Sequence, residues 1–277
     1  MDLIIAKDYS DLSRRASRII ASEIKKKPDL VLGLATGSTP LGTYQELVRL
    51  YREEGLDFSR VVTFNLDEYY GISMDNPQSY HYYMFENFFK HVNIKPENIH
   101  IPDGMAGDVE AHCKKYDEEI AKYGGIDLQL LGIGQNGHIG FNEPGDELLT
   151  ATHLTNLTQN TIEANSRFFK SMDEVPKQAI TMGLGTIIQA KKIVLLASGK
   201  NKAEIMAELL DENAVSTKNP ASFLLLHKDV TVIIDEEAAM LYSSMSHESG
   251  DGSLKKFMLG KCFYGHLNKK RPSDHSV

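Results

Sequence analysis

The sequence is poor in several features that mark particular classes of protein. It has no tryptophan and only two cysteines, Cys113 and Cys262, among 277 residues. Two cysteines so far apart provide neither the disulfide framework of small secreted domains nor a metal cluster, so we expect a reduced, cytoplasmic protein. No apolar run approaches the roughly 20 residues that a membrane-spanning helix needs. Met1–Asp8 lacks the basic and apolar segments of a signal peptide and predicts a first strand instead.

Positive charge is also scarce, because 38 Asp and Glu residues outnumber 30 Lys and Arg residues and leave a formal net charge of -8. Without a basic excess the surface is poorly suited to bind phosphate backbones, so we expect no nucleic-acid partner and no membrane partner. A small anionic ligand is still compatible with this charge, since a few well-placed cations set the local field. Apolar residues make up 42% of the chain, which is ordinary for a globular protein.

Short apolar runs alternate with longer amphipathic segments along most of the chain. The runs are typical of strands buried on both faces: Leu30–Leu34, Val61–Phe64, Leu128–Leu131, Ile193–Ala197 and Val230–Ile234. The segments between them have helical spacing: Leu12–Lys27, Leu41–Glu54, Tyr80–Phe89, Val109–Tyr123 and Lys202–Leu210. This alternation predicts an α/β fold of three layers with a mainly parallel central sheet, and ligands at the carboxyl ends of its strands. Ser10 and Ser79 are predicted N-caps.

The last part of the chain has a different composition. Residues 243–277 are rich in Ser, Gly, Lys and His, and their apolar clusters are short. Such a segment buries too little apolar surface to fold by itself. We therefore predict a single catalytic domain over residues 1–242 and a poorly ordered C-terminal tail over residues 243–277.

A segment rich in glycine and hydroxyl side chains, Gly33–Tyr44, joins the second strand to a helix. Gly37, Ser38 and Thr39 offer hydroxyls and accessible backbone amides, and Pro40 suits the first turn of a helix. A helix N-terminus with free amides can bind a phosphate group. The segment lacks the Gly-Lys-Ser/Thr of a Walker loop. From this segment alone, an ordinary capped turn is an equally good interpretation.

Two acidic residues, Asp67 and Glu68, follow the predicted strand Val61–Phe64. Enzymes with α/β folds keep catalytic groups at this position. A carboxylate that is partly desolvated there becomes more basic and can abstract a proton from carbon. An acidic pair that merely caps the next turn is the simpler interpretation, and spacing alone favours it.

Three glycines after the predicted strand Leu128–Leu131 match the dinucleotide-binding pattern G-x-G-x-x-G: Gly132, Gly134 and Gly137. That pattern should open a helix in the first βαβ unit, whereas this one lies far into the chain. The glycines more plausibly turn the backbone so that His138 and Glu143 reach the edge of the sheet, where the pair suits acid–base chemistry. A structural histidine and a solvated glutamate are the alternative. Zinc is not expected, because this spacing differs from the i, i+4 ligand pair and no third ligand is evident.

Two basic residues complete the candidate site. Arg167 lies in a helical pattern, and Lys202 begins the helix after the strand Ile193–Ala197, where a phosphate group could lie. Taken singly, each is as well explained by an ordinary surface position.

Together these motifs resemble the glucosamine-6-phosphate deaminase family in order and approximate spacing. The segments that carry the resemblance are Gly33–Tyr44, Val62–Tyr69, Gly134–Pro144, Asn165–Phe169 and Ser198–Lys202. The string Asn-Gly-His-Ile-Gly-Phe-Asn-Glu-Pro is the most specific of them, and the resemblance extends from Met1 to about Tyr242. It implies a modified Rossmann-like fold and conversion of glucosamine 6-phosphate to fructose 6-phosphate and ammonia without a cofactor or a metal.

The resemblance also implies roles for individual residues. His138 corresponds to the acid–base that opens the sugar ring, with Glu143 orienting and charging it. Asp67 corresponds to the base that moves a proton from C2 to C1. The phosphate group would be bound by residues of the second-strand loop and two basic residues: Gly37, Ser38, Thr39, Arg167 and Lys202. Asn136 stands where some relatives have aspartate, and an amide can orient a histidine but cannot stabilise its cation by charge.

Two rival functions stay open at this stage. A 6-phosphogluconolactonase would use a similar fold, a phosphate site and a histidine, but that family lacks the Phe-Asn-Leu-Asp-Glu-Tyr string found here. A sugar-phosphate sensor would bind without turnover, and we would then expect a DNA-binding module that the sequence does not show. Both rivals share the small sugar-phosphate partner. Assembly as a homo-oligomer is left open.

Overall fold

The computed structural model describes residues 1–166, 169, 171, 174–211 and 214–248, with the side chains of 160, 164–166 and 243–248 left undescribed. The strands are β1 (Asp2–Ala6), β2 (Val31–Leu34), β3 (Val62–Asn65), β4 (Asp67–Tyr70), β5 (Ile99–His100), β6 (Leu128–Gly132), β7 (His153–Asn156), β8 (Gln178–Thr181), β9 (Lys192–Ala197) and β10 (Val230–Asp235). The α-helices are α1 (Tyr9–Lys26), α2 (Ser38–Glu54), α3 (Tyr80–Asn87), α4 (Val109–Lys122), α5 (Gln159–Ser166), α6 (Leu184–Ile188), α7 (Ala203–Asp211) and α8 (Glu236–Glu248).

Seven strands form one parallel sheet in the order β1-β10-β9-β6-β2-β3-β5. Each of the five predicted apolar runs lies in one of these strands, and the N-terminal segment forms β1 as predicted. Two large hydrophobic clusters cover the two faces of the sheet, so the strands are buried on both sides. The prediction of an α/β fold with a mainly parallel central sheet is therefore confirmed.

A second, smaller sheet was not predicted. The strands β4, β8 and β7 pair antiparallel, with Asp67 opposite Thr181 and His153 opposite the same threonine. The sequences Asp-Glu-Tyr-Tyr and His-Leu-Thr-Asn are short and polar, so they lack the apolar runs that identify the other strands. This sheet matters for function because Asp67 is the first residue of β4.

The helix boundaries differ from prediction in one informative place. Ser10 is not the N-cap of α1, because Asp8 occupies that position and its carboxylate accepts the amide of Asp11 at 2.8 Å. An aspartate that precedes the first turn competes well for this role and also favours the positive end of the helix dipole. Ser79 does cap α3, as predicted, and accepts the amide of Tyr82.

The C-terminal helix α8 continues to Glu248, six residues past the predicted domain boundary at Tyr242. Its first half packs into the core through Ala238 and Ala239. Residues 249–277 lie outside the described part of the chain, so the tail stays a prediction. In the described residues, the structure contains no helix long and apolar enough to cross a membrane.

Truncation tests where the folded domain ends. Removing residues 249–277 should change the melting temperature by less than about 2 °C, because a segment without packed apolar surface contributes little stability. Cutting after Tyr242 instead shortens α8 by about half and should lower the melting temperature further. The measurement is thermal unfolding of both truncated proteins beside the full chain. A large loss of stability in the longer truncated protein would show that the tail docks on the domain.

Candidate active site

The loop after β2 lies at the carboxyl edge of the large sheet, where α2 begins. Gly37 has φ +102°, a backbone conformation that residues other than glycine rarely adopt, and Ser38 is the first residue of α2. The first amides of a helix have no acceptor within the helix, so the amides of Ser38 and Thr39 are available to an anion. The three residues predicted for phosphate binding here, Gly37, Ser38 and Thr39, therefore form one continuous helix entry.

Asp67 follows β3, the neighbour of β2 in the large sheet, and the residue is almost completely buried, at 6% exposure. Burial, together with the neighbouring charge of Glu68, raises the pKa of Asp67 to about 8. Among the described residues, no cation pairs with its carboxylate. A buried carboxylate without a cation is a far stronger base than an aspartate in water, and this is the property that abstraction of a carbon-bound proton requires.

Glu68 is also buried, but its carboxylate points toward the start of α3. It accepts the amides of Tyr80 and His81 at 2.9 and 2.8 Å, and that of Tyr69 at 2.8 Å. Burial raises the pKa of Glu68 to about 7, and these amide hydrogen bonds limit the increase. The acidic pair thus divides its tasks. Glu68 fixes the start of α3, as the capping interpretation proposed, whereas the carboxylate of Asp67 has no cation partner within the described residues.

His138 lies on a tight turn after β6. The amide of Gly134 donates to the carbonyl of His138 at 2.9 Å, and a Cβ atom on Gly134 would lie 2.3 Å from the imidazole ring. No helix follows within residues 133–152, all of which the structure describes, so the three glycines do not form a dinucleotide-binding turn. Glycine at position 134 instead leaves room for the imidazole to fold back over the loop.

Two residues after His138, the same turn approaches Asp67. A Cβ atom on Gly140, which has φ +60°, would lie 3.7 Å from Oδ2 of Asp67 and 2.9 Å from Oγ1 of Thr181. A side chain at position 140 would therefore clash with Thr181 and make only an ordinary van der Waals contact with Asp67. The loop that carries His138 thus runs close to Asp67, although 71 positions separate the two residues in the sequence.

Asn136 links His138 to Glu143 through the oxygen and the nitrogen of its side-chain amide. Its Oδ1 accepts from Nδ1 of His138 at 2.7 Å and from the histidine backbone amide at 3.2 Å. Its Nδ2 donates to Oε2 of Glu143 at 2.7 Å, whereas Nδ1 of His138 is 3.4 Å from that oxygen. The amide orientation is set by its neighbours, because a carboxylate can only accept. Asn136, and not Glu143, therefore makes the short contact with the imidazole.

Glu143 receives further hydrogen bonds from two threonines that the sequence analysis did not identify. Oγ1 of Thr161 donates to Oε1 of Glu143 at 2.6 Å, and Oγ1 of Thr158 lies 3.3 Å from the same atom. Burial acts to raise the pKa of Glu143, but hydrogen bonds from His138, Thr161 and Asn136 and the charge of His138 lower it to about 2. Glu143 is therefore permanently ionised. The sequence signal for these contacts is the Thr-x-x-Thr spacing of Thr158 and Thr161 at the start of α5. This helix was itself not predicted.

Lys202 is the basic group that the structure places at this edge. Its Nζ donates to the carbonyl of Ile133 at 2.7 Å, next to the histidine turn, and burial lowers its pKa. Asp235 at the end of β10 holds the preceding loop, since its carboxylate accepts from Ser198 at 2.5 Å and from the amide of Gly199 at 3.0 Å. Arg167 lies outside the described residues, so its predicted place is untested. The described residues contain no group of three or more metal-ligating side chains.

The chain is similar to known proteins over most of its length. The family model described as "Glucosamine-6-phosphate isomerases/6-phosphogluconolactonase" matches residues 7–233. Glucosamine-6-phosphate deaminase of a Thermoanaerobacter species is 61% identical over 241 residues, which cover 87% of this chain and 95% of that protein. The deaminase of Halothermothrix orenii is 60% identical over 241 residues, with 87% of this chain and 100% of that protein covered.

Solved structures give the same grouping. A structure described as a monomeric glucosamine-6-phosphate deaminase superposes with a TM-score of 0.85 at 52% identity, covering 87% of this chain and 100% of that one. The 6-phosphogluconolactonase of Thermotoga maritima has a TM-score of 0.66 at 24% identity and covers 84% of this chain and 98% of that one, a likeness of fold alone. The chain belongs to the family of glucosamine-6-phosphate isomerases and 6-phosphogluconolactonases.

Proposed function

We propose that this protein is a glucosamine-6-phosphate deaminase, which converts glucosamine 6-phosphate and water to fructose 6-phosphate and ammonia without a cofactor. Relatives with this name are 54–61% identical over 239–241 residues. The single observation that carries the proposal is the buried, unpaired Asp67 beneath the turn that holds His138. Isomerisation of a sugar requires one group to move a proton to and from ring oxygen and another to move a proton between carbons.

His138 serves as the acid–base in ring opening. Its Nδ1 is engaged by Asn136, so Nε2 is the atom that can exchange a proton with the sugar. Asn136 links the imidazole to Glu143 through its own Nδ2–H bond to the carboxylate, which also lies 3.4 Å from Nδ1 of His138. The chain from imidazole to amide to carboxylate resembles a catalytic triad in layout, with the ionised group one residue further away.

Asp67 carries out the carbon chemistry. In the opened sugar its carboxylate removes the proton from C2, and the same carboxyl group, after its proton exchanges with solvent, delivers a proton to C1. The C2–nitrogen bond then has imine character. Water adds to this bond, and its cleavage gives the C2 ketone and ammonia, so that all atoms of the substrates appear in the products. The high pKa of about 8 suits both halves of the transfer, because the carboxyl group must accept the proton and then release it.

The substrate phosphate group would bind at the start of α2. The amides of Ser38 and Thr39, after the turn at Gly37, are unpaired within the helix, and the positive end of the helix dipole favours a dianion. Lys202 supplies a formal charge at the same edge, and we propose Arg167 as a second cation. Charge-assisted hydrogen bonds of this kind contribute about 1.5–3 kcal/mol each. A few of them would hold C2 over Asp67.

A lactonase is the weaker alternative. Hydrolysis of a sugar lactone needs an activated water and no proton transfer at carbon, so it gives no use to the basic Asp67. The lactonase structures are also at most 24% identical to this chain. We further propose a cytoplasmic location. The 52%-identical structure described as monomeric favours a monomer over the homo-oligomer that the sequence left open, and sedimentation would decide between them.

Replacement of Asp67 by Asn tests the carbon base. Turnover of Asp67→Asn should fall at least about a hundredfold while substrate affinity is kept, because the amide has the same shape and no basicity. Product formed by the wild-type protein in deuterated water should carry deuterium at C1, and product formed by the variant should not. Exchange that persists in the variant at the wild-type rate per turnover would assign the base elsewhere.

The same carboxylate predicts a pH dependence. For the wild type, kcat/KM should rise with pH and level off above about 8, since only the deprotonated Asp67 accepts a proton.

The effect of pH on stability has the opposite sign. Because folding raises this pKa, the unfolded state loses its proton first, and the free energy of unfolding falls between about pH 4 and pH 8. Asp67→Asn should therefore be more stable than the wild type at pH 8 in thermal unfolding. Equal stability of the two proteins at pH 8 would argue against a buried, destabilising carboxylate at position 67.

Replacement of Asn136 by Asp tests the link to His138. A second carboxylate at Nδ1 favours the charged imidazole. The part of the pH–rate profile that reports protonation of His138 should therefore shift to higher pH by about one unit. Gln135→Glu adds the same charge at an exposed position in the same loop and is the matched control. The measurement is kcat against pH for both variants. The same displacement in both would mean a general charge effect, and no displacement in Asn136→Asp would deny the contact a role.

A further inference from the structure

Three tyrosine hydroxyls donate to carbonyl groups of the loop between β2 and α2. Tyr44 donates to the carbonyl of Ala35 at 2.5 Å, Tyr83 to that of Gly37 at 2.6 Å, and Tyr9 to that of Ser38 at 2.8 Å. The three side chains come from different helices, α1, α2 and α3, and converge on a stretch of four residues. None of them carries a role in the proton transfers described above.

Each of these bonds fixes the plane of one peptide group. The described chain contains no cis peptide bond, so every carbonyl in this loop points away from the amide of the next residue. Holding the carbonyls of Ala35, Gly37 and Ser38 against the tyrosines therefore directs the following amides to the opposite side of the loop. The amides concerned are those of Thr36, Ser38 and Thr39, which include the two donors at the start of α2 that have no acceptor within the helix.

Tyr9 also ties the loop to the helix that follows it. Its hydroxyl accepts the amide of Gly42 at 2.8 Å while it donates to Ser38, so one oxygen bridges the loop and the second turn of α2. Tyr83 approaches from α3, the helix whose N-terminus Glu68 holds. The loop that would bind phosphate is thus fixed from two sides by phenol groups, and burial raises the pKa of Tyr83, so its hydroxyl keeps its proton and stays a donor.

We propose that Tyr9, Tyr44 and Tyr83 are positioning residues that hold the amides of this loop in the direction required to bind the phosphate group of the substrate. The inference rests on the proposed function, since it assigns the phosphate of the sugar to this loop. Gly37, at φ +102°, gives the backbone freedom to rotate, and a rotated peptide would turn the negative end of a carbonyl toward the dianion. The hydroxyls prevent this rotation before substrate arrives, which lowers the cost of ordering on binding.

The test uses Tyr→Phe changes, which keep the aromatic ring and remove only the hydroxyl. Tyr9→Phe and Tyr83→Phe are made singly and together, and Tyr44 is left intact because its ring lies in the core. Tyr82→Phe is the matched control, because Tyr82 is exposed on the same helix as Tyr83 and its hydroxyl has no partner in the part of the chain described. The measurements are kcat and KM for glucosamine 6-phosphate, the inhibition constant of inorganic phosphate, and the melting temperature.

Each single variant should raise KM and the phosphate inhibition constant together by about three- to tenfold, and the double variant should raise both further. We expect kcat within about twofold of the wild type, because the reacting carbons and Asp67 are untouched. Tyr82→Phe should change neither constant. A merely structural hydroxyl would lower the melting temperature without weakening phosphate binding, so the paired change in KM and inhibition constant is the diagnostic result.

Two failures can be told apart. If the wild type releases ammonia and is inhibited by phosphate, but the double variant keeps both constants, the positioning role is overturned and the proposed function stands. If the wild type releases no ammonia from glucosamine 6-phosphate, the proposed function is wrong and this inference with it. Should Tyr83→Phe fail to fold, Tyr9→Phe decides the question, because Tyr9 is exposed and its hydrogen bond to Ser38 lies at the surface.

Discussion

The parallel pairing of seven strands is the constraint on which the rest of the molecule depends. In a parallel sheet all carboxyl ends meet at one edge, so the segments after β2, β3, β6, β9 and β10 must lie together there. These segments carry the helix entry at Ser38, the buried Asp67, the turn with His138, the loop before Lys202 and the carboxylate of Asp235. Residues about 200 positions apart share one edge because of backbone hydrogen bonding, before any side chain selects its partner.

Two carboxylates at this edge are driven in opposite directions by their surroundings. Asp67 is buried without a cation, which raises its pKa to about 8, whereas Glu143 is buried among donors, which lower its pKa to about 2. Groups whose environments separate their pKa values in this way can divide acid–base labour. Asp67 can gain and lose a proton near neutral pH, and Glu143 stays ionised and orients its neighbours. The difference comes from hydrogen-bond donors, since both side chains are shielded from water.

Repeating hydrophobic patterns in the sequence predicted the strands of the large sheet. Features that depend on single side-chain contacts were not predicted. Continuous apolar runs identify buried strands such as β9 and β10, because burial on both faces excludes polar residues. The strands β4 and β7 escaped prediction because four mostly polar residues carry no such pattern. The contacts of Thr161 with Glu143 and of Tyr83 with Gly37 join segments 18 and 46 residues apart. Only the packed structure shows which hydroxyl reaches which oxygen, and so these partners could not be inferred from residue types.

Several groups of the site are desolvated or lack a hydrogen-bond partner within their own element, which is unfavourable for each of them alone. This property is consistent with binding a sugar phosphate. Asp67 is desolvated without a cation, Lys202 is desolvated and donates to a backbone carbonyl in place of a carboxylate, and the first amides of α2 have no acceptor within the helix. In the proposed complex each deficit would be met by a different part of the sugar phosphate. A phosphate group would supply the charge that Lys202 and the amides lack, and a C2 proton next to a protonated amine would supply what Asp67 can accept. Because these groups already face one edge, binding needs little rearrangement, and the electrostatic cost of the arrangement is borne during folding and not during the reaction.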